Sequence, residues 1–158
     1  MSGIEAGQAA KQTVSRALLV LLRVYLGVVF LTAAWPKLSN WDVANTLNFF
    51  IQRSHEFYRP FLEGVVLANP GVFNVLVPYG ELLVGLALVA GALTRLAGAA
   101  AMFMTLNYML LKGAWFWHAS SNDAAFFFIA LVLVLGSAGR MWGVDEALAK
   151  QRPGGVLW

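Results

Sequence analysis

Glu81 is the single carboxylate in the apolar run Pro-Tyr-Gly-Glu-Leu-Leu-Val-Gly-Leu-Ala-Leu-Val-Ala-Gly-Ala-Leu-Thr-Arg at 78–95. An ionisable group at bilayer depth costs a few kcal/mol, so it faces other helices, a partner group or a water-filled cavity. Arg23, inside the apolar stretch 18–34, is the first partner to test, and depth is the criterion. At about 1.5 Å of rise per residue, Glu81 stands about 21 Å above Arg95, while Arg23 stands only about 10 Å above Arg16. Asn107, about 18 Å above Arg95 by the same count, is nearly level with Glu81, so a Glu81–Asn107 contact is the easier one. With Tyr79 and Tyr108 at similar depth, the cluster could exchange a proton at Glu81 or hydrogen-bond a polar ligand head, with Arg23 setting the charge of Glu81. The alternative is a structural Glu81 that only fixes how the helices pack.

His118, after Trp115 and Trp117, could meet a quinone head group or a proton from solvent at the outer surface. The same aromatic run also fits an interfacial belt. Lys37, after Trp35-Pro36, reads as a snorkelling anchor or as an anion-attracting group at the outer mouth. His55 and His118 have no metal-ligand spacing, so no metal site is expected. The sequence has neither a phosphate-binding glycine loop nor a dinucleotide fingerprint. Cysteine is absent, so thiolate chemistry is excluded and any redox chemistry is borrowed from a small molecule or a partner.

These residues sit in a chain of 158 residues that is 59% hydrophobic and 12% charged, about half the charged fraction of a soluble domain. The expected class is an all-α integral membrane protein, one membrane domain over residues 1–158. Its four transmembrane helices, at about 16–36, 72–93, 95–112 and 123–140, form an antiparallel bundle. The mixed stretch 38–71 is expected to be an extracytoplasmic lid of short interfacial helices. Val43, Leu47, Phe50 and Ile51 recur at helical spacing behind an Asn40 or Asp42 cap. Pro60 opens a second short helix burying Phe61, Leu62, Val65 and Val66. The tight Thr94-Arg95 break makes the second and third spans antiparallel neighbours, and Arg95 and Lys112 are expected to snorkel at the ends of the third.

The formal charge of +3 is dispersed with no basic run, which argues against nucleic acid as a partner. Lys11, Arg16, Arg95, Arg140, Lys150 and Arg152 fall on one side and Lys37, Arg53, Arg59 and Lys112 on the other. The positive-inside rule then places both termini in the cytoplasm, in a prokaryotic inner membrane. Residues 1–13 read as a short cytoplasmic tail, with a cleaved signal peptide as the rival reading. Arg23, Gly27 and Ala34 share their offsets with Glu81, Gly85 and Ala92, so each helix sets small residues below its charged one, which permits close helix approach.

The motif order Arg23-x-x-x-Gly27-x-x-Phe30, Trp35-Pro36-Lys37-Leu38, Gly80-Glu81-Leu82 with Gly85 and Gly91, Thr94-Arg95, Asn122-Asp123-Ala124, Ala138-Gly139-Arg140 and Gly143-x-Asp145 resembles the DoxX-like membrane proteins. It is most similar to the DoxD-type subunit of thiosulfate:quinone oxidoreductase. The resemblance covers most of residues 16–148. It implies a four-helix membrane subunit of a redox complex, in some members passing electrons from a sulfur compound to quinone. On that basis the expected role is a quinone-accessible site around Glu81, with Arg23 as its catalytic companion and Asn107, Tyr108, Tyr79, His118 and Trp115 as quinone-binding candidates. The expected partners are the lipid bilayer and other subunits of a membrane complex. The alternative is a structural or accessory subunit without catalysis of its own.

Overall fold

Apolar helices interrupted by glycine and proline set the architecture. The computed structural model describes residues 3–118 and 121–151, with side chains from Ser15 onward. Among these residues all regular structure is helical. The elements are α1 (Gly3–Ala34), α2 (Lys37–Asn40), α3 (Val43–Phe50), a 3₁₀ turn (Glu56–Tyr58), α4 (Arg59–Phe61) running into a π-helical turn (Leu62–Val66), α5 (Pro70–Ala90), α6 (Thr94–Leu111), α7 (Asn122–Leu135), a 3₁₀ turn (Ala138–Arg140) and α8 (Val144–Gln151). Two stretches, Ser15–Asn40 and Pro70–Ala90, are long and apolar enough to cross a membrane, and α7 is a shorter apolar helix.

Several boundaries differ from the sequence expectation. The first helix begins at Gly3 rather than near residue 16, so much of the expected tail is helical. It breaks at Trp35-Pro36 because proline has no N–H to continue the ladder. The last apolar helix stops at Leu135, and Ser137 takes a left-handed backbone at φ 49°. Lys11 and Arg152, both used in the charge count, lie outside the described side chains.

α1 packs along α5 and α6 along α7, whereas α5 and α6, though joined by a short turn, pack less extensively. Small residues explain this. A Cβ on Gly27 would stand 2.8 Å from Val89 Cγ2, and one on Gly85 would stand 2.8 Å from Leu31 Cδ2. Only glycine allows α1 and α5 to approach so closely. The core between the helices is Leu26, Phe30, Val84, Leu88, Ala97, Ala101, Ala130 and Leu133.

The segment between α1 and α5 forms the lid. Asp42 caps α3, its side chain accepting from the Ala44 N–H at 3.0 Å. Val43, Leu47, Leu62 and Val66 form a second small core. Phe61 and Val65, expected to be buried, are exposed, because the π-helical turn rotates the buried face onto Leu62 and Val66. Asn74 of α5 accepts from the Val43 N–H at 2.7 Å and so ties the lid to the bundle.

Arg95 and Lys112 do not merely snorkel. Arg95 donates to Ser137 Oγ at 2.7 Å, and Lys112 pairs with Asp123 at 2.7 Å. These contacts hold α6 to α7 at both ends.

Candidate functional site

Glu81 lies on α5 one turn beyond Pro78 and is 1% exposed. Its Oε1 accepts from Lys37 Nζ at 2.5 Å and from the Tyr108 hydroxyl at 2.7 Å. Its Oε2 is buried and has no hydrogen-bond partner among the described residues. Lys37 reaches inward because the Trp35-Pro36 break starts a new helical turn beyond the apolar stretch. Its ammonium lies 5.4 Å from the Tyr108 ring centre and 5.8 Å from that of Trp41, within the range at which an aromatic face attracts a cation.

This triad forms part of the wall of a cavity of about 650 Å³ under the lid. The polar lining is Lys37, Thr46, Glu81, Asn107, Tyr108, Lys112 and Asp123, with the Tyr58 hydroxyl donating to Asn107 Oδ1. The remaining wall is apolar and aromatic, including Trp41, Phe61, Phe73, Leu76 and Phe103. Two ion pairs, Lys37–Glu81 and Lys112–Asp123, therefore border one apolar chamber. The arrangement can hydrogen-bond a polar head, balance its charge and keep bulk water away from an apolar body.

Two expected contacts of Glu81 are corrected. Asn107 does not bind Glu81; its Nδ2 donates to Phe103 O and its Oδ1 accepts from Tyr58. Depth counting found the right turn of α6, but each residue rotates the helix by about 100°, and it is Tyr108 that faces Glu81. Arg23 does not contact Glu81. Its guanidinium donates to the carbonyls of Ala138 at 2.9 Å, Met141 at 3.2 Å and Trp142 at 3.1 Å. It packs against Gly91, about 15 Å along α5 from Glu81.

Tyr79 points outward from α5 and is 52% exposed. Trp115 and His118 lie outside the cavity wall. The Trp115 N–H donates to His118 Nδ1 at 3.1 Å, and the Trp115 ring stacks on Trp117 at 5.7 Å. His55 binds the Ala114 carbonyl through Nε2 at 3.0 Å. Among the described residues no group of His, Asp and Glu is placed to hold a metal.

Sequence reasoning gave Lys37 only peripheral roles and did not single out Trp41, Tyr58 or Asp123 as site residues. Asp145 was also missed. It is wholly buried, accepts from the backbone N–H of Leu93 at 2.6 Å and Thr94 at 2.8 Å, and donates its own N–H to Gly91 O at 2.9 Å. It thus caps α6 from a distant part of the chain. Gly143-x-Asp145 entered only as one of the motifs carrying the family resemblance, and nothing local to α6 pointed to its capping contact.

A family model described as DoxX matches residues 18–119, well over half of the chain. The chain belongs to the DoxX family. Lys37, Glu81, Asn107, Tyr108 and Lys112 of this DoxX protein all fall inside the matched stretch, whereas Asp123 and Asp145 lie beyond it. No curated protein and no solved structure matches the chain. Family and apolar helices together make it a membrane protein.

Proposed function

We propose that this DoxX protein is the membrane subunit of a redox complex and that the Glu81 cavity receives the head group of a quinone. The reading rests on one observation: a buried carboxylate with one oxygen held by Lys37 and Tyr108 and the other without a partner, on the wall of a largely apolar chamber. An unpaired buried acceptor costs about 1–3 kcal/mol, which a hydroxyl of the reduced ligand, the quinol, would recover. The residues fit such a ligand. Glu81 would hold or pass the proton, Lys37 would balance charge, Tyr108 would orient the carboxylate, and Asn107 with Tyr58 would close the far side. The quinone would supply the two-electron chemistry, with electrons delivered by a partner subunit. A sulfur-oxidising partner, as in the DoxD-type complexes the sequence resembles, is the corresponding donor. In this reading α1, α5, α6 and α7 are the four spans, in a prokaryotic inner membrane with both termini cytoplasmic and the lid outside.

Titration of the purified protein with a short-chain quinol, kept reduced and followed calorimetrically, tests this. Glu81→Gln is expected to weaken binding at least about tenfold, the equivalent of 1.4 kcal/mol. Unchanged affinity would remove Glu81 from the site.

The second reading is an accessory subunit without catalysis. It is favoured by the Lys37–Glu81 pair, which already neutralises the carboxylate as a packing role requires. Purification from native membranes separates the two: the accessory reading expects constant association with a larger assembly and a Glu81→Gln effect on stability alone.

A further inference from the structure

The wall of the Glu81 cavity combines a fully buried carboxylate with side chains exposed on the outer surface. Glu81 is 1% exposed, whereas Phe103 is 68%, Leu76 58% and Phe61 38% exposed, and all four line the same chamber. Leu76 lies on α5 and Phe103 on α6, the adjacent helices that pack less extensively than α1 with α5 or α6 with α7. Between them, a Cβ built on Gly80 would stand 3.6 Å from Met104 Cε. The two backbones are therefore bridged there by one unbranched thioether, which adopts many rotamers at low cost. Elsewhere the elements around the chamber are cross-tied. The lid is tied to α5 by Asn74 and to α6 by the Tyr58–Asn107 bond, and Lys112–Asp123 closes the α6–α7 end.

Building on the ligand-site reading of the Glu81 cavity, we infer that the ligand enters sideways from the bilayer between α5 and α6, past Gly80 and Met104. Its chemical class follows: an amphipath with a compact polar head at Glu81 and Tyr108 and an apolar tail that leaves between Leu76 and Phe103. A charged, tailless metabolite would instead approach beside Lys37, which is 22% exposed, or Lys112, which is 43% exposed. The exposed wall is apolar on the α5–α6 side, where a hydrocarbon tail loses nothing by staying in lipid.

Two quinols with the same head group, one with a decyl tail and one without, are kept reduced and titrated against the protein in phosphatidylethanolamine–phosphatidylglycerol liposomes. Affinities are corrected for partitioning into lipid. Gly80→Phe places a ring against Met104 across the mouth. It is expected to weaken the tailed probe at least tenfold and the tailless probe less than threefold. Should Gly80→Phe leave the tailed probe unchanged, or weaken both alike, lateral entry is overturned while the ligand site stands. If neither probe binds the wild-type protein, the ligand-site reading fails and lateral entry with it. A second measurement does not depend on how Gly80→Phe folds. The chain has no cysteine, so a nitroxide on Leu76→Cys reports one position. Collisions with oxygen dominating over those with a water-soluble nickel chelate support a lipid-facing mouth, and the reverse overturns it.

Discussion

Asp145→Ala removes the group that ties the C-terminal helix to the α5–α6 turn. The carboxylate accepts from two backbone N–H groups, those of Leu93 and Thr94, at the start of α6, and is itself wholly buried. Each orphaned buried N–H costs about 1–3 kcal/mol. The loss of a negative charge at a helix N-terminus adds about 0.3–1 kcal/mol, partly the same interaction counted twice. Arg23, whose charge lies near Asp145, keeps its three carbonyl acceptors but loses its counter-charge. The sum is about 2–6 kcal/mol. For a chain of this size that corresponds to a fall of roughly 4–24 °C in thermal midpoint. Thermal unfolding in detergent, followed by circular dichroism, measures it. Asp145→Asn, which keeps one acceptor, is expected to fall between the two. Because Arg23 and Asp145 serve one cluster, the double variant with Arg23→Met is expected to lose less than the two single losses added together. A midpoint for Asp145→Ala within one degree of wild type would refute this account of the clasp.

At the α1–α5 contact, Gly27→Leu forces the helices apart, since even its Cβ would stand 2.8 Å from Val89 Cγ2. It is expected to destabilise by about 1–3 kcal/mol or more, whereas Gly64→Ala, with nothing within 4 Å of the new Cβ, is expected to stay within about 1 kcal/mol of wild type. Equal effects in denaturation would show that this glycine contact does not govern packing. In the lid, burial pushes the Tyr58 hydroxyl up to about 12, above the ordinary value of about 10. The neutral phenol is the form the fold favours, so this contribution is complete below pH 10 and is lost between about pH 10 and 12. The absorbance difference at 295 nm between wild type and Tyr58→Phe is expected to show one tyrosine ionising near pH 12, and a midpoint near 10 would mean the lid does not shield it.

Class and family were legible because they depend on composition and on motifs along single helices. The apolar runs and their glycine breaks placed α5 and α6 within a few residues of their ends, and the matching offsets of Arg23-Gly27 and Glu81-Gly85 marked the two glycines on which α1 and α5 meet. The Asp42 cap of α3 was equally local. Partnerships between helices were legible only in part. Rise per residue is fixed by the backbone, so the depth of Glu81 on α5 and of its α6 neighbour could be counted. Rotation about each axis is set by packing, so Asn107 and Tyr108 could not be told apart.

The amino-acid sequence by itself determined that the chain is helical and apolar, that it carries a buried carboxylate at Glu81, and that it belongs to the DoxX family. Tertiary structure alone decided the partners of its charges. Lys37 and Tyr108 hold Glu81 because the break at Pro36 turns Lys37 inward. Arg23 and Asp145 bind backbone groups close to each other at the opposite end because α8 folds back over the α5–α6 turn. A buried charge must find its compensation in whatever packs around it, and what packs around it comes from segments far away along the chain.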